Sequence, residues 1–147
     1  MKRTIAAILA ADVAGYSRLV AEDEEDTLRR LAAYRTIFRD HVARFGGRVF
    51  NTAGDAILAE FPSAVEGLRA AIAIQETLRA ANREHPPARR VCFRMGMTIG
   101  DVVEQDGDLL GDGVNIAARL EGIAEPGGIC IARSIHEAIA NKVAIGF

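Results

Sequence analysis

The stretch Asn51-Thr52-Ala53-Gly54-Asp55-Ala56-Ile57-Leu58-Ala59-Glu60-Phe61 decides the fold. It reads as strand, tight turn, strand, with Arg48 to Asn51 rising into the turn and Ala56 to Phe61 leaving it. Gly tolerates positive φ and Asp bonds to nearby backbone, so a Gly-Asp pair between β-like runs predicts a hairpin. A hairpin alone would make Asp55 a plain turn residue. A second acid, Asp12, stands where the apolar run Thr4 to Ala11 ends. Two acids at strand ends can face each other across a sheet and hold a hard divalent cation through oxygen.

Working outward, Thr4 to Ala11 is almost continuously apolar, as expected of a central strand covered on both faces. The positive start Met1-Lys2-Arg3 faintly resembles a leader. The run is short, however, and Asp12 interrupts it, so a buried strand is the better reading. Gly15 marks a turn and Ser17 is the expected cap of a short helix, whose first amides could face a phosphate. The acids from Glu22 to Asp26 open a second helix. Its apolar stripe is Leu28, Leu31, Tyr34, Phe38, Val42 and Phe45, and Gly46-Gly47 ends it. Arg29, Arg30, Arg35, Arg39 and Arg44 are expected mostly on its wet side.

Past the hairpin, Ser63 caps a helix striped by Val65, Leu68, Ile72 and Leu78, and Glu84-His85-Pro86-Pro87 is a loop. Val91 to Ile99 alternates as a strand. Gly96 and Gly100 lie on its second face, where a helix or a ligand comes close. Gln105-Asp106-Gly107-Asp108 is a turn. A helix beginning near Val114 puts Asn115, Ala118, Arg119 and Gly122 on one face, with Ile116, Leu120 and Ile123 expected to pack the core. A short strand, Ile129 to Ala132, and a short helix, Ser134 to Asn141 with Ser134 as cap, complete the pattern. Interleaved helices and strands with hairpins predict an α+β fold rather than a doubly wound parallel sheet.

Composition narrows the functions. The 147 residues, half of them hydrophobic, suit one compact domain over 1–147. A net charge of −2 gives no sign of a nucleic-acid partner. Cys92 and Cys130 form neither a disulfide framework nor a CxxC site and suit a reducing, cytoplasmic setting. His41, His85 and His136 lack metal-ligand spacing. No run approaches the ~18 apolar residues of a membrane span. A phosphate-binding GxxxxGK loop, GxGxxG and GxSxG are all absent. The polar residues that remain are Asp12, Asp55, Asp108, Asn115 and Arg119. Carboxylates, an amide and a guanidinium together suit magnesium-assisted phosphoryl chemistry.

Four motifs, in order, make a specific resemblance. Asp12-Val13-Ala14-Gly15-Tyr16-Ser17, the run Gly54 to Phe61, Arg94-Met95-Gly96-Met97-Thr98-Ile99-Gly100 and the run Gly111 to Leu120 resemble the class III adenylyl/guanylyl cyclase catalytic domain, across essentially the whole chain. The resemblance implies a ferredoxin-like, mixed and mainly antiparallel sheet with helices. It also implies a head-to-tail homodimer whose two active sites lie between subunits. Asp12, Asp55 and the Val13 carbonyl would hold two Mg²⁺ or Mn²⁺ ions per site. Asn115 and Arg119 from the other subunit would orient the ribose and stabilise the transition state as the 3′-hydroxyl of ATP attacks the α-phosphate. Asp108 matches the position that accepts from the adenine amino group, which disfavours the O6 acceptor of guanine.

Two departures from the pattern follow. The adenine-reading lysine of the family falls at Asn51, which can donate to adenine without charge. The family usually continues into a strand pair bearing a phosphate-binding lysine, so these C-terminal strands are expected to be missing; Lys142 does not occupy that motif. A guanylyl or relaxed-specificity cyclase is the alternative within the enzyme class. A non-catalytic nucleotide-sensing or dimerisation module is the alternative outside it.

Overall fold

A computed structural model describes residues 2–140. Lys142 lies outside the described residues. In chain order the elements are β1 (Lys2–Val13), α1 (Tyr16–Glu22), α2 (Glu24–Arg44), β2 (Arg48–Ala53), β3 (Ala56–Phe61) and α3 (Ala64–Asn82). After a 3-10 turn (Pro87–Arg89) come β4 (Phe93–Gln105), β5 (Asp108–Leu110), α4 (Asp112–Gly122), β6 (Ile129–Ile131) and α5 (Arg133–Ile139). The sheet order is β2-β3-β1-β4-β5. All neighbours on this path are antiparallel, and β6 joins β4 in parallel. The fold is therefore α+β, as the residue pattern predicts, with the mixed, mainly antiparallel sheet and ferredoxin-like order that the resemblance implies.

β1 is apolar from Ala6 to Ala11 because that stretch is covered twice. Ala7, Leu9, Ala11 and Val13 face a core built with Leu31, Phe38, Ile74 and Phe93. Ala6, Ile8 and Ala10 face a smaller one with Val102, Leu109 and Ala117 of α4. Strand parity puts Asp12 on this second, α4 side. The strand does not stop at Ala11. Asp12 and Val13 stay in register opposite Arg94 and Phe93, so the acid is held on a paired backbone rather than in a loop. β4 likewise runs on through Asp101 to Gln105 and pairs with nearly all of β1. The two edges of the path also meet: Asn51 of β2 bonds Asp108 of β5, and Arg48 donates to the Gly107 carbonyl at 2.8 Å. The sheet is accordingly curled.

Several local expectations hold. Ser63 caps α3 by accepting from the Glu66 amide, and the acids Glu24, Glu25 and Asp26 fill the first turn of α2. The Gly54-Asp55 turn joins Ala53 to Ala56 in register, with Gly54 at φ 58°. Others are corrected. Ser17 lies inside α1, which starts after Gly15 with no side-chain cap. Ser134 does not cap α5; its hydroxyl accepts from the Ile99 amide and ties α5 to β4. Arg30 is not on the wet side. It is 7% exposed and reaches Asn82 and the Arg89 carbonyl.

α4 starts two residues before Val114 and packs through Gly113, Ala117 and Glu121, not through Ile116, Leu120 and Ile123. Ile123 is 74% exposed. Gly96 and Gly100 explain this choice of face. A Cβ on Gly96 would lie 2.4 Å from the Ala117 carbonyl oxygen and 2.3 Å from the Glu121 nitrogen; one on Gly100 would lie 2.8 Å from Gly113. The glycines on the second face of β4 thus admit a helix backbone, and the smallest face of α4 is the one that fits.

Candidate active site

The candidate residues of the sequence fall into three pairs. The first is Asp12 with Asp55. The β1–β4 register sets Arg94 directly across from Asp12. Arg94 Nε donates to Oδ1 of Asp12 at 3.0 Å and its Nη2 to Oδ2 at 2.9 Å, a two-pronged ion pair. Asp55 reaches the same place from the hairpin, where its Oδ2 accepts from the Val13 backbone amide at 2.9 Å. Asp55 is thereby tied to the residue that follows Asp12.

Arg94 has further partners. Its Nη2 lies 3.3 Å from Oε2 of Glu121, and its Nη1 donates to the Gly122 carbonyl at 3.3 Å. Glu121 is 9% exposed. Burial, and then the charge of Asp12, push its carboxyl up from 4.5 to about 7, against the opposing pull of Arg94. Its acidic partners in turn hold the Arg94 guanidinium above its ordinary value.

The donor set suits a hard cation. Asp12, Asp55 and the Val13 carbonyl offer oxygen only. Among the described residues no group of three or more His, Cys, Asp or Glu side chains is placed to hold a metal. Two carboxylates and a carbonyl leave coordination positions for water and substrate phosphate, the usual condition of Mg²⁺ in nucleotide sites. The guanidinium of Arg94 supplies positive charge at Asp12, which also marks the place as one suited to a cation.

The second pair is Asn51 with Asp108. Asn51 Nδ2 lies 3.2 Å from each oxygen of Asp108, and the Leu109 amide donates to Oδ1 at 2.8 Å. An ionised carboxylate only accepts, so the amide nitrogen, not the oxygen, must face it. A bulge between Val49 and Asn51 sets this aim. The Asp106-Gly107 turn, with φ of 53° and 84°, returns the chain so that Asp108 enters β5 opposite Gln105.

The third pair is Asn115 with Arg119, one turn apart on α4. Both are exposed. Among the described residues neither side chain takes part in a hydrogen bond or ion pair. The polar face predicted for this helix therefore points away from the fold. A cavity of about 360 Å³ between α3 and the 126–127 turn, lined by Arg79, Arg83, Arg90 and Cys92, involves none of these residues.

Sequence reasoning missed Arg94 and Glu121 as site residues. Arg94 lay in a quoted motif without a role. Its signal was the register, which the sequence shows only once β1 and β4 are paired. Glu121 had a weak signal: with Gly113 and Ala117 it repeats every fourth residue along the helix.

Comparison with known proteins adds the family. The sequence model described as the adenylate and guanylate cyclase catalytic domain matches residues 2–145. "Putative adenylate cyclase 3" of Rhizobium meliloti (strain 1021) is 45% identical over 148 residues, covering 100% of this chain and 25% of that protein. An adenylate cyclase of Streptomyces coelicolor is 34% identical over 128 residues, covering 86% of this chain and 32% of that protein. The chain thus spans a quarter to a third of these relatives. A crystal structure of an adenylate/guanylate cyclase/hydrolase from Silicibacter pomeroyi superposes with a TM-score of 0.91 at 43% identity, over 100% of this chain and 86% of that one.

Proposed function

The chain belongs to the adenylate and guanylate cyclase catalytic-domain family, and on that premise we propose that it converts ATP to 3′,5′-cyclic AMP and pyrophosphate between two copies of itself. One observation carries the reading. Asp55 is tied to Val13, the residue after Asp12, while Asn115 and Arg119 stand outward on α4, unpaired among the described residues. The carboxylates suit a triphosphate with its cations. The outward pair suits a substrate held by the neighbouring subunit.

In this reading Asp12, Asp55 and the Val13 carbonyl hold two Mg²⁺ or Mn²⁺ ions. When bound, these lower the pKa of the attacking hydroxyl and screen phosphate charge. Asn115 of the second copy orients the ribose so that O3′ lies in line with the α-phosphorus. O3′ gives up its proton to solvent, a bond forms from O3′ to that phosphorus, the bond to the bridging oxygen of the β-phosphate breaks, and pyrophosphate leaves. Arg119 of the second copy stabilises the charge that develops on the α-phosphoryl oxygens. Asp108 accepts from the adenine amino group and repels the O6 of guanine. Asn51 holds Asp108 in place through its amide nitrogen and presents its carbonyl, and whatever N–H remains, to the base.

A guanylyl or relaxed-specificity cyclase is the second reading, because Asn51 is uncharged and already engaged with Asp108. The names of the Rhizobium and Streptomyces relatives favour ATP. The test is product formation followed by mass spectrometry, with ATP or GTP and Mg²⁺ or Mn²⁺, beside Asp55→Ala. Cyclic AMP that vanishes in the variant is expected. Cyclic GMP at a comparable rate would replace the first reading by the second. No product from folded, dimeric protein would leave a non-catalytic module.

A further inference from the structure

Arg94 touches two carboxylates on different elements, and its contacts with them are unequal. Asp12 receives two prongs at 3.0 and 2.9 Å, whereas Glu121 has one nitrogen at 3.3 Å. Both oxygens of Asp12 are thus engaged. A divalent cation on Asp12 needs at least one of them and repels a guanidinium beside it. Arg94 must then move. Its nearest other acceptors are Oε2 of Glu121 and the carbonyl of Gly122, both at the C-terminal end of α4. A guanidinium has five N–H groups, so it can shift its prongs without losing all its partners at once. Glu121 is 9% exposed and its Oε2 already faces this guanidinium, so the shift is a short one.

We propose that Glu121 is a positioning residue that receives Arg94 when a divalent cation takes Asp12, so that cation binding is transmitted to the C-terminal turn of α4. The proposal rests on the reading of Asp12 as a cation ligand. Its consequence reaches beyond one site. α4 also carries Asn115 and Arg119, which serve the neighbouring copy's substrate in the proposed dimer. Cation binding at one site therefore bears on the helix that works at the other.

Mn²⁺ binding to the purified protein without nucleotide, read by electron paramagnetic resonance, tests this. Loss of binding in Asp12→Asn is expected from the site reading itself. If the wild type does not bind Mn²⁺, or Asp12→Asn binds it equally, that reading falls and the proposal with it. With the site reading intact, Glu121→Gln is expected to weaken Mn²⁺ about fivefold when Arg94 is present and less than about twofold in an Arg94→Gln background. Equal loss in both backgrounds would mean that Glu121 acts by charge alone, and no loss in either would mean that it does not act; both overturn the proposal. A second measurement does not need the double variant. The amides of Ile123 and Ala124, which close the end of α4, are expected to exchange more slowly on adding Mg²⁺ to wild type but not to Glu121→Gln. Unchanged exchange in wild type would also overturn it.

Discussion

Oδ2 of Asp55 accepts a hydrogen bond from the backbone amide of Val13, 42 residues away in sequence, at 2.9 Å. Asp55 is therefore both a structural clasp and a proposed ligand, and two substitutions separate the roles. Asp55→Asn keeps an acceptor for Val13 and is expected to melt within about 0.5 kcal/mol of wild type, while Asp55→Ala loses about 1 kcal/mol. Both are expected to lose product by at least about 100-fold, the scale of removing an electrostatic group from a phosphoryl-transfer site. Urea melts beside a product assay give the two readings.

The outward Asn115–Arg119 face predicts complementation. Asp55→Ala and Arg119→Ala chains are each expected to be inactive alone. Mixed, they assemble heterodimers in which one of the two sites has all its groups. Activity at roughly a quarter of wild type is expected if subunits exchange freely, since half the dimers are mixed and each has one of two sites. No recovery from a mixture shown to have exchanged would count against a shared site.

Gly96 sits beneath α4 with no space for a methyl group, because both nearest atoms are backbone, at 2.3 and 2.4 Å from an added Cβ. Gly96→Ala is expected to destabilise by about 3 kcal/mol through displacement of the helix. Chemical denaturation measures this, and a neutral result would place α4 differently.

Glu121 predicts a pH effect in the cation-free protein. Its carboxyl is pushed from 4.5 to about 7 in the fold, first by burial. Between these values the unfolded chain has released a proton that the folded chain retains. Stability from this group is therefore full below pH 4.5 and falls as pH rises to about 7. Wild type minus Glu121→Gln isolates it from the other acids. The difference is expected to fall as pH rises across that window, by at most about 3 kcal/mol, the linkage limit for a shift of that size. A flat difference in urea melts would contradict it.

A buried polar knot holds α2, α3 and the segment just before β4 together. Asn82 accepts from the Val91 amide and from Arg30 and donates to the Val91 carbonyl. Asn82→Leu strands those groups and is expected to cost about 3 kcal/mol in a urea melt.

The hairpin, the doubly covered β1 and the cap at Ser63 were legible because each is a local pattern. The α+β class followed from their order. The pairs Asp12–Asp55, Asn51–Asp108 and Asn115–Arg119 were legible as residue types and motif positions, but their partners were not. Arg94 meets Asp12 only through an antiparallel register between segments 82 residues apart. Arg30 counted as a surface charge until α3 supplied Asn82. Ile116, Leu120 and Ile123 fit a helical stripe as well as Gly113, Ala117 and Glu121 do. Close approach at Gly96, not hydrophobicity, decided between them.

The pairing of β1 with β4 has a temporal consequence. β1 is made before its partner strands, so Val13 finds Phe93, and Lys2 finds Glu104, only once everything between them has been synthesised. β3 arrives sooner and can pair with Ala7 to Ala11 while β4 is still unmade. Until then the apolar run from Thr4 has one open flank. Such distant pairing slows folding, since loop closure must precede the contacts that reward it. During synthesis the strand bearing Asp12 is an aggregation hazard before it is part of a site, and Asp12 and the charged start at Lys2 and Arg3 bracket it as gatekeepers.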